Sequence, residues 1–279
     1  ASLLWIISLI FVLDGGNLTE EYNIFLQFLT LYLFWRSELK KSYSWRGLSI
    51  GIIGGTSFLL RQNLIGVLIS IVAYLLVSRM LKRDFRTLIK EVSLIFAGFA
   101  TTLFAVFFYF LLQNGLDYML DGFFRFNFVY ASPTFVSRLK AVFMGLWILA
   151  RSGLSFVAVA AWIMGVIYYF LSPKREATIR PLLSLALIGF PIELLFASIS
   201  GIHPPHYFMT WLPVCTLLAA FFGYQIMDFA NVSTLRILKS KISKGVIFLS
   251  SLLIAFSVLP LGILSYQIVT RNGANDRLC

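Results

Sequence analysis

Charge is what this sequence has least of. Its 279 residues carry 12 acidic and 23 basic side chains, 13% of the total, where soluble domains carry roughly a quarter. That is too little polar surface to wrap a water-soluble body, and the 59% apolar content removes disorder as an alternative. Histidine is nearly absent, with His203 and His206 the only two. Cysteine is limited to Cys215, inside an apolar run, and Cys279, the last residue, which excludes a disulfide framework and a cysteine-built metal site. The net charge of +11 would suggest nucleic acid in a soluble protein. Here it reads instead as the basic loops of a membrane protein, with no nucleic-acid partner.

What is abundant is apolar length. Runs occur at Ala1–Leu13, Tyr22–Trp35, Gly47–Leu60, Leu64–Val77, Val92–Leu112, Leu154–Leu171, Leu182–Ser200, Phe208–Met227 and Val246–Leu264. Several approach the ~20 residues a spanning helix needs, and none shows the alternation of a barrel strand. The predicted fold is all-α, a single polytopic transmembrane domain over 1–279 with about nine transmembrane helices. The shorter runs must extend into their flanks, with Arg36 or Arg46 snorkelling. The chain opens without Met directly in a 13-residue apolar run, and so reads as a fragment lacking earlier helices and a first outer loop. Ala141–Leu171 is too long for one straight crossing. Arg151-Ser152-Gly153 is expected to break it into a short surface helix, Ala141–Ala150, and a span, Leu154–Leu171.

Loop charge sets the orientation. Loops 36–46, 78–91, 172–180 and 228–245 hold 4, 5, 3 and 4 basic residues, whereas 14–21, 61–63, 113–140, 201–211 and 265–279 hold 0, 1, 3, 0 and 2. The two sets alternate, so the basic loops are expected to be cytoplasmic. The remaining polar residues gather on the opposite side.

Four strings there could carry chemistry. Arg61-Gln62-Asn63 is the tip of a hairpin between two short helices. An arginine sunk in a membrane needs an anion, a bound phosphate or carboxylate; the alternatives are an arginine that snorkels to the surface or one paired with Glu193 or Asp14. In Leu116–Tyr130, the i, i+4 spacing of Asp117, Asp121 and Arg125 puts them on one face of an interfacial helix. They are either its wet face or contacts for a polar substrate. Gly201-Ile-His203-Pro-Pro-His206-Tyr207 is a proline-stiffened turn. Its histidines, about 9 Å apart in polyproline geometry, are too far apart for one zinc and suit a phosphate or a solvated rim. Asp14, Glu20 and Glu21 flank Gly15-Gly16-Asn17-Leu18-Thr19. They either cap the next helix or offer a general base. Glu193 lies inside a span, about 10 Å below its rim at 1.5 Å per residue.

The order of these strings, Asp14-Gly-Gly-Asn-Leu-Thr-Glu-Glu21, Leu60-Arg61-Gln62-Asn63, Asp121-Gly-Phe-Phe-Arg-Phe-Asn-Phe-Val-Tyr130, and Gly201-Ile-His-Pro-Pro-His-Tyr207 leading to Trp211-Leu-Pro213, resembles the C-type membrane glycosyltransferases. It is closest in kind to bacterial relatives of dolichyl-phosphate-mannose protein mannosyltransferases, glycosyltransferase family 39. The resemblance implies an inverting enzyme of the bacterial inner or plasma membrane. It would move a sugar from a polyprenyl-phosphate donor to a lipid, glycan or protein acceptor on the extracytoplasmic face, without a cofactor. It also implies a catalytic aspartate in a first outer loop, upstream of residue 1, leaving Asp14, Glu20 and Glu21 as weak candidates within the chain. Arg61, Asn63, Asp121, Arg125, Tyr130, Glu193, His203, His206 and Tyr207 are the expected substrate wall, and no metal ligands are assigned among them, although a divalent ion is compatible. The rival readings are a solute transporter and a non-catalytic assembly subunit.

Overall fold

The computed structural model describes residues 1–13, 16–40, 44–126, 129, 134–171 and 179–231. Among them there is no strand. Ten helices follow one another: α1 (Ser2–Val12), α2 (Thr19–Lys40), α3 (Ser44–Leu60), α4 (Gly66–Leu81), α5 (Phe85–Leu112), α6 (Leu116–Leu120), α7 (Phe135–Ala150), α8 (Leu154–Leu171), α9 (Arg180–Ser198) and α10 (Leu212–Asn231). Short 3₁₀ segments, Gln62–Ile65 and Pro205–Trp211, lead into α4 and α10. Asp14, Asn127, Tyr130 and the run Val246–Leu264 lie outside the described residues.

Four segments, Gln62–Leu81, Phe85–Leu112, Arg180–Ser198 and Pro205–Met227, are long and apolar enough to cross a bilayer. The pair α7 and α8 makes a fifth if its 108° bend belongs to one span. The break falls at Arg151–Gly153, as the sequence predicts, with Gly153 in the left-handed region at φ 78°. The first half of that pair starts at Phe135, six residues before the expected Ala141, because Thr134 caps it by accepting from the Ser137 N–H at 3.3 Å.

Helix α2 is too polar to pass as a simple span, and its polar residues are not on the outside. Glu20, Asn23, Gln27, Thr30 and Ser37 are all buried and share one face with Ile24, Leu31 and Phe34. Tyr22, Phe25 and Tyr32 are exposed instead. A membrane helix places its polar groups inward, where other helices can satisfy them. Two apolar clusters surround it. One joins Phe34, Ile50, Ile71, Leu75 and Ile95; the other joins Val12, Leu149, Leu154, Phe208, Trp211 and Leu218.

Helices α3 and α5 cross at backbone contact. A Cβ on Gly51 would strike the Ile95 carbonyl, and one on Gly98 the Leu48 carbonyl. Gly55 faces Thr102, whose hydroxyl donates to the Gly98 carbonyl at 3.2 Å. In lipid there is no hydrophobic gain from pairing two apolar helices, so close packing of small residues does the work.

Within α9, Pro191 has no N–H for the Leu187 carbonyl, one turn back. The Trp162 indole of α8 donates to that carbonyl at 2.8 Å. The proline therefore leaves no buried acceptor orphaned, and the replacement bond ties α8 to α9.

Candidate functional site

Three elements meet at one end of the bundle. Leu60 ends α3, and Arg61 adopts extended backbone (φ −167°, ψ 134°) before the 3₁₀ turn begins, which throws its side chain sideways out of the hairpin. Its Nη1 lies 2.5 Å from Oε1 of Glu20, in the first turn of α2. Glu20 is almost wholly buried, and its other oxygen accepts from the Thr19 hydroxyl at 3.0 Å. On its flat face the Arg61 guanidinium stacks on Tyr207, 3.7 Å from the ring centroid. Arg61 is thus paired within the chain with Glu20, and among the described residues not with Glu193; the alternative partner Asp14 lies outside the described residues. Nothing in the local spacing announces this pair, because the partners are 41 residues apart.

Tyr207 owes its place to the prolines. Pro204 holds polyproline geometry (φ −64°, ψ 146°), Pro205 opens the 3₁₀ turn, and the Tyr207 N–H donates to the Pro204 carbonyl at 3.1 Å. His206 packs edge-on against Tyr207, with ring centroids 4.9 Å apart. The far end of the turn is pinned by Trp211, whose indole donates to the Glu193 carbonyl at 2.9 Å.

Glu193 joins a second constellation, deeper in the bundle. Gln27 Nε2 donates to its Oε1 at 3.2 Å and to the Thr210 carbonyl at 3.3 Å. The carboxylate also lies against Gly66, the first residue of α4, where an added Cβ would overlap it. No side chain from its own N-cap serves that helix start. The glycine is what lets the Glu193 carboxyl of α9 approach the start of α4. Glu193 therefore links α2, which carries Glu20, the 205–211 turn, which carries Tyr207, α9, and α4, which follows the Arg61 hairpin tip.

Several polar atoms near these groups in sequence are buried and have no hydrogen-bond partner among the described residues: both amide atoms of Asn23, Oδ1 of Asn63 and Nδ1 of His203. Glu21 differs from Glu20. Its Oε2 accepts the Asn17 N–H at 3.1 Å, while Tyr22 donates to Asn17 Oδ1 at 2.7 Å, holding Asn17 at φ 60° before the helix. That is a cap-like role for Glu21. Asp121 and Arg125 do form their i, i+4 ion pair, at 2.7 Å, but in a π-turn after α6, and it is open to solvent, with the Arg125 side chain 78% exposed. The contact from that region to the hairpin is made instead by Gln62, whose amide donates to the Phe123 carbonyl at 2.6 Å, and by Phe58, whose ring meets Phe123. Among the described residues, no three His, Cys, Asp or Glu side chains come together as a metal site.

A second ion cluster sits at the other end of the same helices. Arg79 forks onto Glu91 through Nε (2.9 Å) and Nη2 (3.1 Å), and Nη2 also reaches Glu38 at 2.6 Å. Tyr74 donates to the other Glu38 oxygen at 2.9 Å. Sequence reasoning assigns Arg79 and Glu91 to a basic loop, 78–91. The structure instead buries both, inside α4 and α5. The available signal is that both stand next to apolar runs, within a helical turn or two of the loop.

The chain matches no family model, no curated protein and no solved structure. The fold and the apolar helices define the class, an all-helical protein with bilayer-spanning segments.

Proposed function

We propose that the chain is a membrane glycosyltransferase of about nine crossings. It takes a sugar from a polyprenyl-phosphate-linked donor at the end of the bundle that holds Arg61, and that end is extracytoplasmic. The observation that carries the reading is the half-sheltered guanidinium of Arg61. It is fixed by Glu20 and Tyr207 and makes no other hydrogen bond among the described residues, so N–H donors remain for an anionic oxygen. Tyr207, on which it stacks, carries His206 packed against its ring, and buried atoms of Asn63 and His203 without a partner among the described residues lie two and four residues from Arg61 and Tyr207 in sequence. A lipid phosphate entering from the bilayer needs such a fixed cation, and a sugar needs neutral donors and acceptors beside it. The alternation of basic and non-basic loops supports the sidedness. The order of the motif strings supports the reaction class.

The test is donor affinity in the membrane-reconstituted protein, using a polyprenyl-phosphate-linked hexose. Each charge-assisted bond is worth roughly 1.5–3 kcal/mol, so Arg61→Ala is expected to weaken binding by about 10- to 150-fold. Arg61→Lys should recover only part, since it keeps the charge without the planar fork. His206→Ala should fall between wild type and Arg61→Ala. Unchanged donor affinity in a normally folded Arg61→Ala protein overturns the reading and leaves Arg61 as the structural partner of Glu20.

A further inference from the structure

Helix α7 has two unlike faces. Ala141, Gly145, Ile148 and Leu149 are buried. Gly145 is pressed against Phe208 and Trp211, where a Cβ would not fit. The opposite face is large, apolar and bare: Phe135 is 77% exposed, Leu139 45%, Phe143 62% and Trp147 63%. These four recur every four residues, which makes one continuous stripe along the helix. Water is a poor neighbour for such a stripe. The helix turns by 108° into apolar α8. If α8 runs along the bilayer normal, α7 lies near the membrane plane at the end of the bundle that holds Tyr207.

The charges on α7 and at its C-cap, Arg151, are of one sign. Arg138, Lys140 and Arg151 are exposed and form no ion pair among the described residues. The sequence contains no acidic residue between Asp121 and Glu176. Lys140 and Arg151 are eleven residues apart, about three turns, so they project from the same flank of the stripe, roughly 16 Å from one another. An apolar face edged by cations fits a leaflet of anionic phospholipid: acyl chains against the aromatics, phosphates against the flank.

We infer that α7 is a headgroup-reading helix that lies in one leaflet and gathers anionic phospholipid through Lys140 and Arg151, with Arg138 at its start. This surface is separate from Arg61 and does not depend on the sugar-transfer reading.

The experiment is Trp fluorescence of the full chain in bilayers that contain acyl-brominated phosphatidylglycerol or, at equal mole fraction, acyl-brominated phosphatidylcholine. The emission missing from Trp147→Phe isolates Trp147. That component should be quenched by both lipids, and at least twofold more strongly by the phosphatidylglycerol. The excess should vanish in the Lys140→Gln, Arg151→Gln double variant and shrink in each single variant, while thermal unfolding stays as in wild type. Absence of quenching of Trp147 by either lipid overturns the proposal, because the stripe is then covered by protein. Equal quenching by the two lipids also overturns it, because the helix then meets acyl chains without reading headgroups.

Discussion

The two ends of the α2–α4 pair use the same chemistry to opposite effect. At one end Glu20 meets Arg61, just ahead of α4; at the other, eighteen residues further along in sequence on each side, Glu38 meets Arg79. The Arg79 end is closed. Its guanidinium is shared by two carboxylates, and Tyr74 occupies the remaining oxygen of Glu38. The Arg61 end is open. One carboxylate holds one nitrogen, an aromatic face supports the plane, and unpartnered polar atoms of Asn63 and His203 belong to the neighbouring turns. A buried guanidinium held through two nitrogens by two carboxylates is a structural fastener, whereas one held through a single nitrogen leaves more bonds to be made with something else.

That contrast breaks first at Arg79. Arg79→Ala strands two buried carboxylates and is expected to cost about 3–5 kcal/mol. Arg61→Ala, at a partly exposed site with one partner, should cost clearly less. Thermal unfolding of the two variants in the same detergent or nanodisc measures the difference. Equal losses would erase the distinction between fastener and site.

Between the two ends, Trp162→Phe should cost about 1–3 kcal/mol by leaving the Leu187 carbonyl without a donor. Pro191→Ala in that background restores a backbone N–H for the same carbonyl and should return part of the loss. A double-mutant cycle read by unfolding separates this coupling from simple packing. The cycle also gives a mid-bundle reference for the two ends.

The smallest effect is at Asp84, just beyond the closed end, where the side chain accepts from the Thr87 N–H at 3.2 Å at the start of α5. Hydrogen bonds from Thr87 hold the carboxyl below its ordinary value. A depressed folded value adds stability above the unfolded value near 4, and that stability is lost as pH falls through the folded value. Asp84→Asn should therefore be slightly less stable than wild type at neutral pH and indistinguishable from it in acid. Unfolding scans across pH 2–7 check the sign.

What could be read from the sequence follows from range. The helical class, the apolar lengths, the break at Arg151–Gly153 and the Asp121–Arg125 pair all rest on periodicity or on neighbours within one turn. The Glu20–Arg61 and Glu38–Arg79 pairs join residues 41 apart, and the Trp162–Leu187 bond joins residues 25 apart. No local pattern encodes them; only the packing of α2 against the α3–α4 hairpin and of α8 against α9 brings them together. Charge counting also misplaced Arg79, because a basic residue near a loop looks the same whether it faces water or two buried carboxylates. Within α2 the inward polar stripe can be seen once the helix is drawn, yet its partners lie on other helices.

The even spacing of the two ion pairs has a consequence for where this protein can live. Along α2 the eighteen residues from Glu20 to Glu38 rise about 27 Å, close to the ~30 Å thickness of a hydrocarbon core. The pairs therefore act as two marks on a ruler, and the distance between them is set by the length of α2. A thicker bilayer would draw one pair into hydrocarbon or force the bundle to tilt, and a thinner one would expose apolar helix to water. The Arg79 cluster, with two carboxylates on its guanidinium, tolerates the first change better than the open Arg61 end does, so hydrophobic mismatch falls unevenly on the two faces of the membrane.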